Sequence, residues 1–146
     1  MSRTVPFSVT IEVRDACLCL HTQRAARILA RRFDEALRPV GLTNGQFSLL
    51  ISLNRPEPPS PGPVAQLLAM DRTTLTAALK PLERRGLVKI SPDPTDRRSR
   101  RLTLTSAGRA LLAEAVPIWR KTHRAIEREL RGGNAKALRV ALGAIA

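Results

Sequence analysis

The segment from Asp71 to Thr105, DRTTLTAALKPLERRGLVKISPDPTDRRSRRLTLT, constrains the fold more than any other part of the chain. Asp71 reads as an N-cap, since its carboxylate can accept from the free amides of Thr73 and Thr74. Leu75, Ala78, Leu79 and Leu82 then recur at the spacing of one helical face. Gly86 supplies the stop, because a residue without Cβ takes the left-handed position after a helix at little cost. A strand over Leu87–Ser91, the turn-rich PDPTD, and a second strand in which Leu102 and Leu104 alternate with Thr103 make a hairpin. A capped helix followed by such a hairpin has the order of a winged helix. Between Arg84 and Arg101 seven basic residues stand against two acids, Asp93 and Asp96. A charge run is more often a solvated face. Here it lies on a turn between two strands, beside a threonine-rich helix, and that arrangement suits a phosphate backbone.

The remaining composition narrows the partner. The chain has 146 residues, enough for one domain with its own core, and 43% of them are hydrophobic, too many for a disordered chain. No run of eighteen apolar residues occurs and no apolar signal core opens the chain, so the expectation is a cytoplasmic protein without a membrane partner. A formal net charge of +13 calls for an anionic partner. The surplus is uneven: residues 54–83 carry three charges of each sign, whereas the wing is strongly basic. With no tyrosine, one tryptophan and three phenylalanines, the chain lacks the stacking platforms of a single-strand binder, which favours duplex DNA.

In chain order, residues 1–9 show no periodicity and read as a loose arm. Residues 10–40 read as one helix, ended at Arg38-Pro39 because a residue before proline is pushed out of the helical region. Thr43 and Gln46 form a capping box for the next helix, whose apolar face is Phe47, Leu50 and Ile51 and which stops near Asn54. The proline-rich stretch at 56–63 excludes regular structure until Ser60 and Pro61 start a short helix with Val64, Leu67 and Leu68 facing inward. That helix, the Ala69-Met70 turn and the Asp71 helix read as a helix-turn-helix. Pro81 removes the amide that would bond back to Ala77 and predicts a bend or a tightening. Thr105 caps a long helix to about Arg131, with a heptad-like seam through Leu112, Val116, Trp119, His123, Ile126 and Leu130, and Pro117 as a kink. Gly132-Gly133 stops it, Asn134 caps the last helix, and Leu138, Leu142 and Ile145 give that helix an apolar face. The expectation is a mainly α fold with a small β wing. Residues 1–40 and 106–146 would serve dimerisation, and 41–105 would form the DNA-binding lobe.

Enzyme constellations are poor. The two histidines lie in different helices, and no paired carboxylates, phosphate-cradling glycine loop or nucleophile motif occurs. Cys17, Cys19 and His21 fall short of the four ligands of a structural zinc site, so neither metal nor cofactor is expected. Two cysteines two residues apart are no disulfide framework.

The string PLERRGLVKISPDPTDRRSRRLTLTSAG resembles the wing of the MarR family of bacterial transcriptional regulators, with its Asp-x-Arg tip and Leu-Thr-x-x-Gly exit. The resemblance runs from about Asp15 to Leu142. It implies a winged helix-turn-helix regulator, in the first instance a repressor, whose Arg98 corresponds to the wing-tip arginine that enters the minor groove. Flanking Arg97 and Arg100 would join it, and Asp96 would brace the tip by pairing with a neighbouring arginine. On the recognition helix, Arg72, Thr73, Thr74, Thr76 and Lys80 occupy the exposed first turns, where they can meet thymine methyls, phosphates or a guanine edge. A homodimer follows from size, since one helix and one wing make too small a footprint for a specific site. The resemblance also implies phenolic or acyl effectors beneath the DNA-binding lobe, where His21, Phe33, Phe47, Trp119 and His123 could converge. Cys19 falls at the position of the peroxide-sensing cysteine of one branch, but the tyrosines that assist it there are replaced by Gln23 and Phe33. A thiol-based redox repressor using Cys19, and a non-specific basic protein for nucleic acid or membrane surfaces, are the rival readings.

Overall fold

The computed structural model describes residues 3–130 and 132–146. Helix α1 spans Phe7–Ala16 and α2 Leu18–Leu37, followed by a 3-10 turn at Arg38–Val40; α3 spans Asn44–Leu53, α4 Pro61–Leu67 and α5 Arg72–Arg84. Strands β1 (Val88–Pro92) and β2 (Arg100–Leu104) pair antiparallel with Val88 opposite Leu104 and Pro92 opposite Arg100. Helix α6 (Ser106–Glu129) and α7 (Ala135–Gly143) complete the chain. The architecture is mainly helical with a small β wing, as the periodicities predict.

The first forty residues differ from the sequence expectation. Helix begins at Phe7, inside the expected loose arm, while residues 1 and 2 lie outside the described residues. The single helix over residues 10–40 is instead two, broken at Cys17, whose φ of −71° and ψ of 110° are extended. There the Cys17 sulfur accepts the Leu20 amide at 3.4 Å and so caps α2. Cysteine is not among the usual N-cap residues, which is why the break carries no sequence signal. The expected end of the long helix near Arg131 also falls outside the described residues; α6 ends at Glu129, with Leu130 extended. Strand β1 lies one residue later than expected.

The core is confined to the middle of the chain. Its largest fully buried side chains are Leu37, Leu50, Val64, Leu75, Leu82 and Leu102, and its buried members run from Leu37 to Ala115. Two expected inward residues point out: Ile51 is 41% and Leu67 62% exposed. In α3 the buried set includes Leu49, Leu50 and Leu53, which leaves Ile51 on the flank; in α4 Val64 and Ala65 set the inward face, with Leu67 turned away from it. The proline-rich linker, irregular as expected, still contributes to the lobe, since the Pro59 carbonyl accepts the Leu102 amide at 2.9 Å and extends the hairpin by one bond.

Polar contacts fix the joints between helices. The Thr43–Gln46 capping box forms in full at the start of α3. Asp34 of α2 reaches the same turn, accepting the Asn44 backbone amide at 2.7 Å and its side-chain amide at 2.9 Å. These two bonds hold the Asp34 carboxyl below its ordinary range. Arg32 and Glu129 form a two-pronged ion pair between α2 and α6, one prong at 2.8 Å. At the wing root, the Thr105 hydroxyl donates to the Gly86 carbonyl at 2.6 Å and accepts the Gly108 amide at 3.0 Å, while the Thr105 amide reaches the Leu87 carbonyl at 3.1 Å.

Gly108 therefore sits against backbone. A Cβ there would lie 2.1 Å from the Leu87 carbonyl oxygen, well inside contact distance. Gly108→Ala is expected to destabilise the fold by about 2–3 kcal/mol, because β1 or the start of α6 must move. Thermal unfolding of the variant checks this, and an unshifted midpoint would mean that the wing root tolerates the displacement.

Candidate nucleic-acid interface

Helix α5 is built to show one face. Leu75, Leu79 and Leu82 are buried against the lobe, whereas Arg72, Thr73, Thr74, Thr76 and Lys80 are exposed. Its N-cap works through a single threonine: Asp71 accepts the Thr74 amide at 2.7 Å and the Thr74 hydroxyl at 2.9 Å. Those bonds draw the Asp71 carboxyl below its ordinary range. The stabilisation is present above the ordinary carboxylate pKa and lost as the pH falls through the depressed one, so the cap is intact at neutral pH. Thr74 is thus engaged by the cap, while the Thr76 hydroxyl donates to the Arg72 carbonyl at 2.8 Å. What Thr76 can offer a base edge is its methyl group and its oxygen lone pairs. An open groove of about 340 Å³ runs along Arg72, Thr73, Thr76, Ala77 and Lys80.

Pro81 does not stop the helix, which continues to Arg84, and Gly86 takes the left-handed φ of +72° expected of the stop. The turn before α5 holds a feature that the sequence hid. Ala69 has a φ of +52°, rare for a residue with a Cβ, and the Met70 amide closes the turn on the Ala65 carbonyl at 2.9 Å. Alanine gives no sequence cue for that conformation.

The wing tip is held by its two aspartates in different ways. Asp93 accepts the Thr95 amide and hydroxyl, each at 2.8 Å, and pairs with Arg101 at 3.7 Å. The Thr95 bonds first, and Arg101 to a lesser degree, hold its carboxyl low. Asp96 accepts the Arg98 backbone amide at 3.0 Å, not a guanidinium, and its carbonyl takes the Ser99 amide at 3.1 Å. The expected brace is therefore a turn bond, and the ion pair belongs to Asp93. A carboxylate two residues before a free amide closes such a turn more cheaply than it fixes a long flexible cation. Arg97, Arg98 and Arg100 stay exposed. Between the tip and the start of α4 lies a polar cleft of about 320 Å³, walled by Arg72, Arg98, Arg100, Asp96, Ser60 and Gly62.

The candidate effector residues are brought together only in part. Phe47 stacks on Trp119 with centroids 6.2 Å apart, and Trp119 on His123 at 4.8 Å. His123 and Phe33 also line an apolar cleft of about 360 Å³ between α2, α6 and α7, together with Ile28, Leu29, Leu138 and Leu142. At its edge Glu127 lies 3.0 Å from Arg139 and 3.5 Å from His123. His21 instead bonds the Cys17 carbonyl at 3.0 Å, and the Cys19 sulfur accepts the Gln23 side-chain amide at 3.2 Å. Neither lines the cleft, whose wall on α2 begins at Ala25, one turn beyond His21. Sequence reasoning missed Ile28, Leu29 and Arg139, since facing α2 with α7 is a long-range decision. Among the described residues no three metal-ligating side chains cluster, and no helix is long and apolar enough to cross a membrane.

Comparison with known proteins fits this geometry. A family model described as "MarR family" matches residues 42–99, which carry α3, α4, α5, β1 and the wing tip. The transcriptional activatory protein BadR of Rhodopseudomonas palustris is 37% identical over 89 residues, which are 59% of this chain and 51% of that protein, so the match spans about half the length of this curated relative. The crystal structure of the M. tuberculosis transcriptional regulator MosR in complex with DNA superposes with a TM-score of 0.81 at 37% identity, covering 88% of this chain and 92% of that one. A structure of Bordetella bronchiseptica BpsR, concerned with regulation of its DNA binding by 6-hydroxynicotinic acid, superposes with a TM-score of 0.79 at 28% identity, covering 89% and 93%. A family model matched from α3 to the wing tip, and a 37% identical regulator matched over nearly its whole length, lead to one assignment: the chain belongs to the MarR family.

Proposed function

We propose that the protein is a sequence-specific regulator of transcription that binds double-stranded DNA as a homodimer and is released by a small apolar or aromatic effector. The observation that carries this reading is the placement of α5 and the wing tip. One rigid lobe presents exposed Thr73, Thr76 and Lys80 on a capped helix and exposed Arg97, Arg98 and Arg100 on the adjoining hairpin. A helix of this kind suits the major groove, where Lys80 can take a guanine edge and Thr76 a thymine methyl. Arg98, at the hairpin tip, suits the narrow minor groove alongside. The cytoplasm is where such a protein meets its DNA. Repression follows where the operator overlaps the promoter and the bound dimer excludes polymerase. No enzymatic step enters.

The dimer rests on uncovered surface. Helices α1 and α7 bury no residue, and α2 buries only Leu37, yet Phe7, Val9, Val13, Leu138, Leu142 and Ile145 are exposed. Apolar faces of this extent on terminal helices call for a partner. A second copy would cover them and set two recognition helices roughly one duplex turn, about 10 bp, apart. The effector reading rests on the cleft between α2, α6 and α7 and on the stack that leads from it through Trp119 to Phe47 in the lobe core. A ligand seated there can bias the angle between the lobe and the dimer helices. A redox alternative is favoured by one observation, the exposed Cys19 thiol with its Gln23 hydrogen bond at the α1–α2 break.

Arg98→Ala is expected to weaken operator binding by about 1–3 kcal/mol, most at A·T-rich flanks, because a minor-groove arginine reads width and potential. Lys80→Ala is expected instead to change which bases a selection experiment recovers. Random-sequence competitor that removes the operator as readily as it removes any other duplex would favour a non-specific basic protein. Removal of residues 132–146 is expected to abolish the dimer in sedimentation, and an unchanged mass would place the interface elsewhere. For the thiol, Cys19→Ser is expected to bind DNA like the wild type. Release of wild type by stoichiometric organic hydroperoxide, lost in that variant, would establish the redox switch instead.

A further inference from the structure

The cleft between the wing tip and α4 has a charge pattern that reading bases does not explain. Three guanidinium groups, from Arg72, Arg98 and Arg100, wall it together with one carboxylate, Asp96. That carboxylate already accepts the Arg98 amide, and none of the three arginines forms an ion pair among the described residues. Three guanidinium groups against one carboxylate leave the cleft with positive charge in excess, so it gains when an anion enters. Arg72 is the first residue of α5, yet its guanidinium does not extend only along the exposed helix face. Its Nη2 lies 3.2 Å from where a Cβ on Gly62 would stand, at the first turn of α4. Glycine at 62 thus leaves the room that Arg72 uses to lean toward the wing. The cleft is not a helix-terminus site, because Pro61 and Pro63 have no amide hydrogens to offer. The Ser60 side chain makes no capping bond, which leaves its hydroxyl available to an anion.

We infer that this cleft is a seat for one DNA backbone phosphate, clamped by Arg72 and Arg100 while Arg98 at its rim is left for the minor groove, and that Arg72 positions the lobe without reading a base. The inference rests on the regulator reading and deepens it. A phosphate held here would sit between the two elements that enter adjacent grooves and would fix the register of both. It would also leave base recognition on α5 to Thr73, Thr76 and Lys80.

Two measurements test it on the full-length protein. In the first, Arg72→Ala is expected to lower affinity for operator and for random duplex by the same factor, roughly tenfold at low salt. It should also reduce the slope of log K against log salt by about one and leave selected bases unchanged. A changed base preference, or an unchanged affinity and slope, would overturn the assignment. In the second, inorganic phosphate is added to the free protein while the side-chain Nε–Hε resonances of the arginines are followed. Those of Arg72 and Arg100 are expected to shift together, and not in Gly62→Val, whose side chain crowds the Arg72 guanidinium. Resonances that stay still would overturn the seat. If they shift while the wild type shows no preference for any duplex sequence, the anion seat stands and the regulator reading fails.

Discussion

The structure depends on one close approach, that of the first turn of α6 to the backbone at Gly86–Leu87. Thr105 occupies both sides of it, donating its hydroxyl to the Gly86 carbonyl and accepting from Gly108, while its own amide meets the Leu87 carbonyl. Only glycine at 108 permits this distance. The contact joins three elements at one point: the end of α5, the root of the wing and the start of α6. The wing root is therefore fixed by short hydrogen bonds of the Thr105 hydroxyl and amide to backbone groups, and not by long surface side chains. The proposed reading of two adjacent grooves would need that stiffness, because specificity falls when one reader can move without the other.

Charge is distributed to match. The cations of the lobe lie on exposed α5 and the wing tip, where water screens them from one another until a phosphate backbone replaces the water. The acids of the tip are used up internally, Asp93 on Thr95 and Arg101, Asp96 on the Arg98 amide. They shape the hairpin without neutralising Arg97, Arg98 or Arg100. This division explains how a turn can be well ordered and strongly basic at once. It also predicts a steep dependence of binding on salt, since each neutralised phosphate releases counterions.

A path from the helical region to the lobe can be traced through packed groups. His123, Trp119 and Phe47 stack in series from the α2–α6–α7 cleft into the core. On the other side, Arg85, just past the end of α5, donates to the Gly41 carbonyl at 2.9 Å and ties the recognition helix to the corner between α2 and α3. Movement of α2 relative to α6 would act on both connections. The Arg32–Glu129 pair joins those two helices directly, but it is exposed, so it orients them more than it holds them.

What the sequence by itself determined was local. The caps at Thr43, Asp71 and Thr105, the stop at Gly86, the inward alternation of Leu102 and Leu104 in the second strand, and the basic tip are all legible. Each is a rule between residues a few positions apart, and hydrogen-bond geometry at that range leaves little choice. The break at Cys17, the left-handed Ala69, the outward Ile51 and Leu67, and Asp96 bonding an amide were decided only in the folded structure. In each, the residue type is compatible with several conformations and carries no cue to the one adopted; for Ile51 and Leu67 the packing of the lobe made the choice, whereas the Cys17, Ala69 and Asp96 conformations are closed by short-range hydrogen bonds. The same holds for the sites. Arg72, Arg98 and Arg100 are visible as separate basic residues, but that they wall one cleft with Gly62 depends on how the wing folds back on α4. Phe33 and His123 share a cleft, while His21 and Cys19 do not, because the crossing of α2 with α6 and α7 chooses which turn of each helix meets the other. Sequence spacing sets which residues share a face, and only the assembled fold determines what that face meets.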